Sequence, residues 1–407
     1  MQLHSCRKLY TQDTHRAFSP EETLVRISGK LSLAGITRVA DITNLDRVGI
    51  PVFSSIRPSA EDGAISVYAG KGASPAEARI SAMMEGIERY SAEAKDRTLL
   101  VGCYGELAGP QNMVNPRDLI LPRGVDPDAR IPWVEGFDIV RNETVLVPAH
   151  AVFHPLHPRF GRLFRTNTNG LASGNVLEEA VFHGLAELIE RDAWSLVEAT
   201  KNTGPLVRNV TDPLAAMLLE KFSAAGVEVR LRDITSDIGI PTFAAASDDL
   251  RLHDPALLTI GMGTHTSARV AVLRALTEVA QSRLTQIHGA REDTNVADFR
   301  KSIGYERAKR INRHWFSENE GIDFGDVPSF ESGDFLDDIT YAIGRLHKRG
   351  LNRVVVTDLT RAEIGVPVVR VIVPGLEVYA MDQERIGERC RRATTGGRVP
   401  RAEPELG

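Results

Sequence analysis

The chain has only three cysteines in 407 residues, Cys6, Cys103 and Cys390, and no CxxC pair, so neither a disulfide framework nor a zinc site is indicated. No stretch approaches the roughly 20 apolar residues that cross a bilayer. The opening MQLHSCRKLYTQDTHRAF also lacks the apolar core of a signal peptide, and a cytoplasmic protein that engages no membrane is the expectation. Excess positive charge is missing as well. The net charge of −5 offers no general attraction to nucleic acid or anionic lipid, so any phosphate must be held locally. There is no GxxxxGKS or GxxxxGKT loop, Gly70-Lys71-Gly72 being too short for one, and Gly261 and Gly263 lack the third glycine of a dinucleotide fingerprint. Neither a P-loop ATPase nor a dinucleotide fold is expected.

What remains is an ordinary globular composition, 42% hydrophobic and 25% charged, with length for one large domain or two. Ser19 to Gly35 opens with Ser-Pro-Glu-Glu and carries Leu24, Ile27, Leu31 and Leu33, which predicts an amphipathic helix stopping near Gly35. β-type runs at Val48–Phe53 and Ile65–Tyr68 lead through the Gly-Lys-Gly turn into a long helix from Pro75 to about Ala94. Residues 100–160, proline-rich with short β-runs, read as a connecting sheet region. A second glycine-bearing loop, Thr166–Asn175, precedes a helix from Val176 to about Thr200. A third unit sets the run Leu257–Ile260 and the loop GMGTHTS before a helix from about Ala268 to His288. Between the last two, 214–250 looks like an inserted αβ or ββ segment. Phe335 to about Gly350 predicts a helix, RVVVTDL and VPVVRVIVPG predict buried strands, and TTGGRVPRAEPELG a mobile tail.

Three of these helices repeat one pattern. With Ala78, Ala180 and Ala271 in register, Glu85, Glu187 and Glu278 each fall seven residues on. In the first two a second glutamate follows, Glu88 and Glu190, with Arg89 and Arg191 directly after; the third has Gln281 and Ser282. Positions i, i+4 and i+7 share a helix face, so Ser81, Glu85 and Glu88 form a polar stripe. His183, Glu187 and Glu190 form another, and Arg274, Glu278 and Gln281 a third. Taken singly, such a stripe is the solvated side of an amphipathic helix. Repeated, and entered each time from a glycine-containing loop, two ExxER helices can set four carboxylates round one cavity, where their repulsion calls for a cation. Mg²⁺, which takes oxygen ligands and bridges to phosphates, is the expected occupant. The loops present N–H groups at helix starts, and Arg191 and Arg274 supply the cations a polyphosphate needs.

GKGASPAEARISAMMEGIER, NTNGLASGNVLEEAVFHGLAELIERD and RALTEVAQSR, together spanning Gly70 to Arg283, resemble the three signature blocks of YcaO proteins. The opening helix ETLVRISGKLSLAGITRV and the closing VVVTDLTRAEIGVPVVRVIVPGLEVYA are similar to the family too. The resemblance implies an α/β (α+β) fold of repeated strand–loop–helix units around a non-P-loop ATP site. It implies a single domain over residues 1–393, with an insertion-like αβ segment at about 205–255 and a mobile tail at 394–407. By motif it implies the cofactors ATP and Mg²⁺, the metal at Glu85, Glu88, Glu187, Glu190 and Glu179. Nucleotide contacts are implied for Arg16, Thr23, Ser81, Asn175, Glu179, Arg191 and Arg274, and catalytic roles for Arg191, Arg274 and Glu278.

The activity so implied is activation of a peptide backbone amide. A nucleophile adds to the carbonyl carbon, ATP phosphorylates the oxygen, and phosphate leaves; a neighbouring Cys, Ser or Thr gives an azoline, external sulfide a thioamide. Azoline-forming members end in a PxPxP tail, which RVPRAEPELG lacks. VPVVRVIVPGLEVYA with the following RIGERC instead resembles the branch that works with a TfuA partner, and the archaeal proteins that thioamidate a glycine in the α subunit of methyl-coenzyme M reductase. The expectation is a peptide or protein thioamidase with sulfide or a sulfur carrier as donor and a TfuA-like partner. An azoline-forming cyclodehydratase and an ATP-binding accessory protein for ribosomal-protein methylthiolation are the alternatives, and a homodimer would be unsurprising. The cysteines read as packing residues, His183 and His265 as acid–base candidates set against structural hydrogen bonds, and RCRRA as surface or a partner contact.

Overall fold

The computed structural model describes every residue except 110–111, 291–294, 319, 397–400 and 402–407, with 295–297 described by backbone alone. The first third of the chain holds α1 (Pro20–Ser28), β1 (Arg38–Asp41), β2 (Val52–Ile56), β3 (Val67–Lys71), α2 (Pro75–Ser91), β4 (Leu100–Gly102), α3 (Tyr104–Leu107), β5 (Ile131–Asp138) and β6 (Glu143–Pro148). Then come β7 (Leu171–Ser173), α4 (Leu177–Thr200), β8 (Leu206–Arg208), α5 (Pro213–Ala224), β9 (Val227–Asp233), β10 (Thr242–Asp249), β11 (Thr259–Thr264) and α6 (Ala268–His288). The last third holds α7 (Asn295–Ile303), α8 (Tyr305–Ile311), α9 (Arg313–Phe316), β12 (Gly321–Asp323), α10 (Phe335–His347), β13 (Val355–Asp358), β14 (Val368–Ile372) and α11 (Glu388–Gly396).

The strands form three sheets, in the orders β1-β2-β3, β11-β10-β9-β8-β12 and β4-β5-β13-β14-β7, with β6 beside β5. The strands that precede the three repeated helices, β3, β7 and β11, each lie at the edge of their own sheet. Each helix packs on its own strand and also touches the strand of another unit, α2 touching β7, α4 touching β11 and α6 touching β3. The three units therefore close in a cycle.

Local chemistry sets the helix starts. Ser19 and Ser74 make reciprocal capping boxes with Glu22 and Glu77, followed by Pro20 and Pro75 at the first helical positions. Tight strand-to-helix packing explains the loop glycines. A Cβ on Gly70 would collide with the backbone N of Ala82 and lie 2.5 Å from the Ala78 carbonyl oxygen; one on Gly263 would collide with the Ala271 carbonyl oxygen and lie 2.5 Å from the Ala275 N. Ala78 and Ala271, like Ala82 and Ala275, are equivalent in the repeat, so the two units use one packing device.

For this reason the loops are shorter than the sequence suggests. Gly70 and Lys71 belong to β3, Leu171–Ser173 to β7, and Gly261–Gly263 to β11. The opening helix also stops early, at Ser28, because Ala34 and Ile36 turn into the core. The β-run expected at Val48–Phe53 lies instead at Val52–Ile56, and β1 pairs with it. The segment read as insertion-like supplies β8, α5, β9 and β10, and β10 pairs with β11 along its length. It is the third unit's own sheet. Of the tail expected from Thr394, residues 394–396 finish α11; the rest lies outside the described residues except Arg401, whose guanidinium donates to the Asp233 carbonyl.

The apolar runs near the C-terminus are buried strands, as their composition predicts. On β13 and β14, Val355 and Val368 face a core shared with α2, whereas Val356, Val369 and Val371 face one shared with α4 and α10. A sheet covered on both faces needs apolar residues at successive positions.

Candidate active site

The three repeated helices enclose a cavity of about 280 Å³, and all twelve residues expected to serve metal, nucleotide or catalysis line it: Arg16, Thr23, Ser81, Glu85, Glu88, Asn175, Glu179, Glu187, Glu190, Arg191, Arg274 and Glu278. The stripes are not solvated faces. Glu85, Glu187 and Glu278 keep only 19%, 25% and 22% of their side chains exposed, and Glu190 keeps 3%. That exposure is to the cavity they line.

Placing several carboxylates in so enclosed a space raises the cost of ionising them. Burial, joined by the charges of Glu85 and Glu187 and opposed by Arg89, pushes Glu88 up to about 8. Burial likewise pushes Glu190 up to about 7, with Glu278 adding and Arg191, Arg274 and Lys71 opposing. Glu187 is raised by burial as well. Glu278 differs: burial acts upward on it, but Lys71, Arg191 and the Met262 N–H together hold it below the usual carboxylate range.

Protein groups leave Glu187 and Glu190 undersupplied. Arg191 stands 3.8 Å from Glu187 and 3.7 Å from Glu190, beyond hydrogen-bond distance. Glu190 Oε2, Arg89 Nε, Arg191 Nε and Arg274 Nε are buried without a hydrogen-bond partner. Glu190, Arg191 and Arg274 line one cavity, and their orphaned atoms are costly unless a ligand completes them. A divalent cation and a polyphosphate fit both sets of atoms.

Other residues already have work. Glu88 accepts from the N–H and Oγ of Ser173, at 2.9 and 3.1 Å, which ties α2 to β7. Glu179, expected to serve both metal and nucleotide, is 1% exposed. It accepts from the Ala17 N–H at 2.9 Å and from the Asn175 amide at 3.3 Å, and lies 3.4 Å from Arg16. Its carboxylate is thus committed to holding the N-terminal segment. Thr23 donates to Asn175 Oδ1 at 2.9 Å, closing the same wall. Arg16 lies against the His183 ring, 2.6 Å from Nε2.

Sequence reasoning missed several lining residues. Lys71 of β3 pairs with Glu278 of α6, and Gln281 donates to the Ala69 carbonyl at 2.6 Å, so the third helix is tied to the first unit's strand. A signal existed: Lys71 and Ser173 share one position in the repeat, and each binds a glutamate of another unit's helix. Tyr10 and Thr14 also line the cavity. Tyr10 donates to Glu77, whose carboxyl burial and neighbouring Asp13 push up to about 7.

The two histidines proposed as acid–base groups are both held far below their ordinary value by burial and nearby cations. His265 Nδ1 accepts from the Ser267 N–H at 2.9 Å, a structural bond at the start of α6. Burial raises the thiols of Cys6 and Cys390, which leaves neither activated as a thiolate. RCRRA is not simply surface: Arg391 and Arg392 are exposed, but Cys390 is fully buried and Arg389 is bound inside the fold.

Residues 69–377 match the family model described as YcaO cyclodehydratase, ATP- and Mg²⁺-binding. An uncharacterised protein of Methanothermobacter thermautotrophicus is 54% identical over 387 residues, covering 92% of this chain and 98% of that one. An uncharacterised protein in the tfuA 3′ region of Rhizobium leguminosarum bv. trifolii is 33% identical over 377 residues, 89% of each. Among solved structures, YcaO from Methanopyrus kandleri bound with AMPPCP and Mg²⁺ superposes with a TM-score of 0.79 at 31% identity, covering 94% of this chain and 98% of that one.

Proposed function

The chain belongs to the YcaO family, and from that premise we propose that it is an ATP- and Mg²⁺-dependent peptide thioamidase. In this reading it exchanges a backbone amide oxygen for sulfur from sulfide or a sulfur carrier. The observation that carries the ATP part is the set of undersupplied buried atoms round one cavity, Glu190 Oε2 against the Nε atoms of Arg191 and Arg274. Glu85, Glu88, Glu187 and Glu190 would hold the metal, which would neutralise phosphate charge. Arg191 and Arg274 would face the phosphoryl group, stabilising the charge that develops as it moves. Lys71, with Arg191 and the Met262 N–H, holds Glu278 below the usual carboxylate range. Ser81, Thr23 and Arg16 would contact the nucleotide from the cavity wall, with Asn175 and Glu179 holding that wall in place.

Sulfide is favoured as nucleophile by the likeness of VPVVRVIVPGLEVYA and the following RIGERC to the TfuA-associated branch. The Rhizobium relative in the tfuA 3′ region supports a TfuA-like partner, and the 54% identical methanogen relative supports a glycine of methyl-coenzyme M reductase as substrate. The family description, cyclodehydratase, favours the second reading, ring closure on a Cys, Ser or Thr side chain.

The test is anaerobic incubation of the protein, with and without a TfuA-like partner, with ATP, Mg²⁺, sulfide and a glycine-containing peptide. A gain in mass equal to sulfur for oxygen, with ADP formed, is the expected result. Loss of water without sulfide uptake selects the cyclodehydratase. An unchanged peptide and unspent ATP sink both.

A further inference from the structure

A second cavity, of about 170 Å³, opens against the first, with Met84 and Asn175 in the walls of both. Met84 directly precedes Glu85. Gly174, also in the second wall, directly follows Ser173, whose N–H holds Glu88. The two cavities therefore meet at the side of the larger one where α2 carries its glutamates.

The floor of the second cavity is apolar, with Ile27 and Val366 almost fully buried. Its mouth is cationic. Arg26 and Lys30, one turn apart on and just beyond α1, both line it, and neither has a carboxylate partner among the described residues. Arg26 instead lies over the Phe18 ring, 3.7 Å from its centre, and Phe18 is part of the nucleotide cavity wall. Among the described residues neither the guanidinium nor the ammonium is drawn off by a neighbouring acid, as the guanidinium groups of Arg117 and Arg130 are. Two unpaired cations over an apolar floor suit a negatively charged side chain brought by another molecule.

An enzyme that activates an amide has to bring a carbonyl group to the phosphoryl donor, and the polypeptide must lie beside the glutamates to do so. We propose that this second cavity is the acceptor subsite. It receives a residue next to the reacting amide of an extended polypeptide, and Lys30, with Arg26, selects a chain carrying an acidic side chain at that position. The inference rests on the amide-activating reading above and adds where the peptide lies and what its flanks must carry.

Binding can test it without turnover. Fluorescein-labelled decapeptides with a central glycine, flanked by aspartate, asparagine or lysine, are titrated with the protein in the presence of Mg²⁺ and a non-hydrolysable ATP analogue. Aspartate-flanked peptides are expected to bind about fivefold tighter than asparagine-flanked ones, the factor one exposed ion pair supplies at the top of its usual range, and lysine-flanked ones weakest. Lys30→Glu should reverse the order and Lys30→Arg should keep it, whereas a merely structural role for Lys30 would weaken all peptides alike. The same order in Lys30→Glu as in the wild type, or no binding of any peptide, overturns the proposal. Mass analysis of the same peptides with ATP and sulfide reads the parent reaction separately. Amide exchange with no charge selection removes the subsite alone, and charge selection with no amide change removes the thioamidase reading alone.

Discussion

Arg191 and Asp192 are neighbours on α4, and their side chains meet opposite electrostatic conditions. Asp192 points away from the cavity, is 0% exposed, and takes two hydrogen bonds from Arg389, at 2.9 and 2.8 Å, and one from the Glu377 N–H at 3.0 Å. Arg389 also donates to Asp237 at 2.7 Å. No atom of that cluster is left without a partner, and burial notwithstanding, the two aspartates hold Arg389 above its ordinary value. On the other face Arg191 reaches its two glutamates only at 3.7 and 3.8 Å, and its Nε is orphaned. The ion pair on one face is saturated by protein, whereas the charge that faces the cavity is left short of partners, at a cost in stability.

The sharpest way to break this comparison is to remove one site carboxylate. Glu88→Gln or Glu190→Gln should lower ATP-dependent turnover by roughly two orders of magnitude or more, measured as ADP release. The thermal midpoint of the ligand-free protein should hold or rise, because the amide no longer has a buried ionisation to resist. A fall in midpoint with turnover intact would make these glutamates structural.

The mirror experiment strips the saturated face. Asp192→Ala leaves Arg389 buried with one partner and should cost about 3–5 kcal/mol in chemical denaturation. Nucleotide affinity of the folded fraction should stay unchanged. Equal losses for Asp192→Ala and Glu190→Ala would erase the distinction between the two faces.

Proton linkage sharpens it further. Glu88 and Glu190, pushed up to about 8 and about 7, bind protons more tightly folded than unfolded. In the ligand-free protein their contribution to stability is therefore fully present below the ordinary carboxylate range and is lost as pH rises through about 7 and 8. A cation needs them ionised, so Mg²⁺ affinity should move the other way, tightening by up to about tenfold per pH unit for each proton displaced. Calorimetric titration at a pH on either side of that window measures it, and a flat response would mean that other groups bind the metal.

The smallest effect is expected at Lys71. Lys71→Met removes the cation that keeps Glu278 low and should weaken nucleotide binding a few-fold, about 1 kcal/mol, with Glu278 titrating higher. An unchanged affinity would make that pair a strut between α6 and β3.

Much of the site was legible in the sequence because its signal is local. Seven-residue spacings place Glu85, Glu187 and Glu278 at one repeat position, and helix geometry puts each on the stripe with its second polar residue. The buried strands at β13 and β14 were equally plain from their valine runs. Lys71 was marked only by the repeat position it shares with Ser173, because its partner Glu278 lies 207 residues on, and Tyr10 and Thr14 belong to an N-terminal segment outside the repeat. The roles of Arg389 and of the segment around β10 were hidden for the same reason. A basic run and an alternating strand look alike whether they face water or another part of the fold.

By itself the sequence determined which residues carry charge on which face of each helix, and that three strand–helix units share one design, because a helix repeats every 3.6 residues whatever surrounds it. Only the tertiary structure decided that the units close in a cycle, turning three exposed-looking stripes into the wall of one cavity. The physical reason is that burial depends on what packs over a stripe. Here the cover comes from the strand of another repeat unit, and that contact is what strips the glutamates of water.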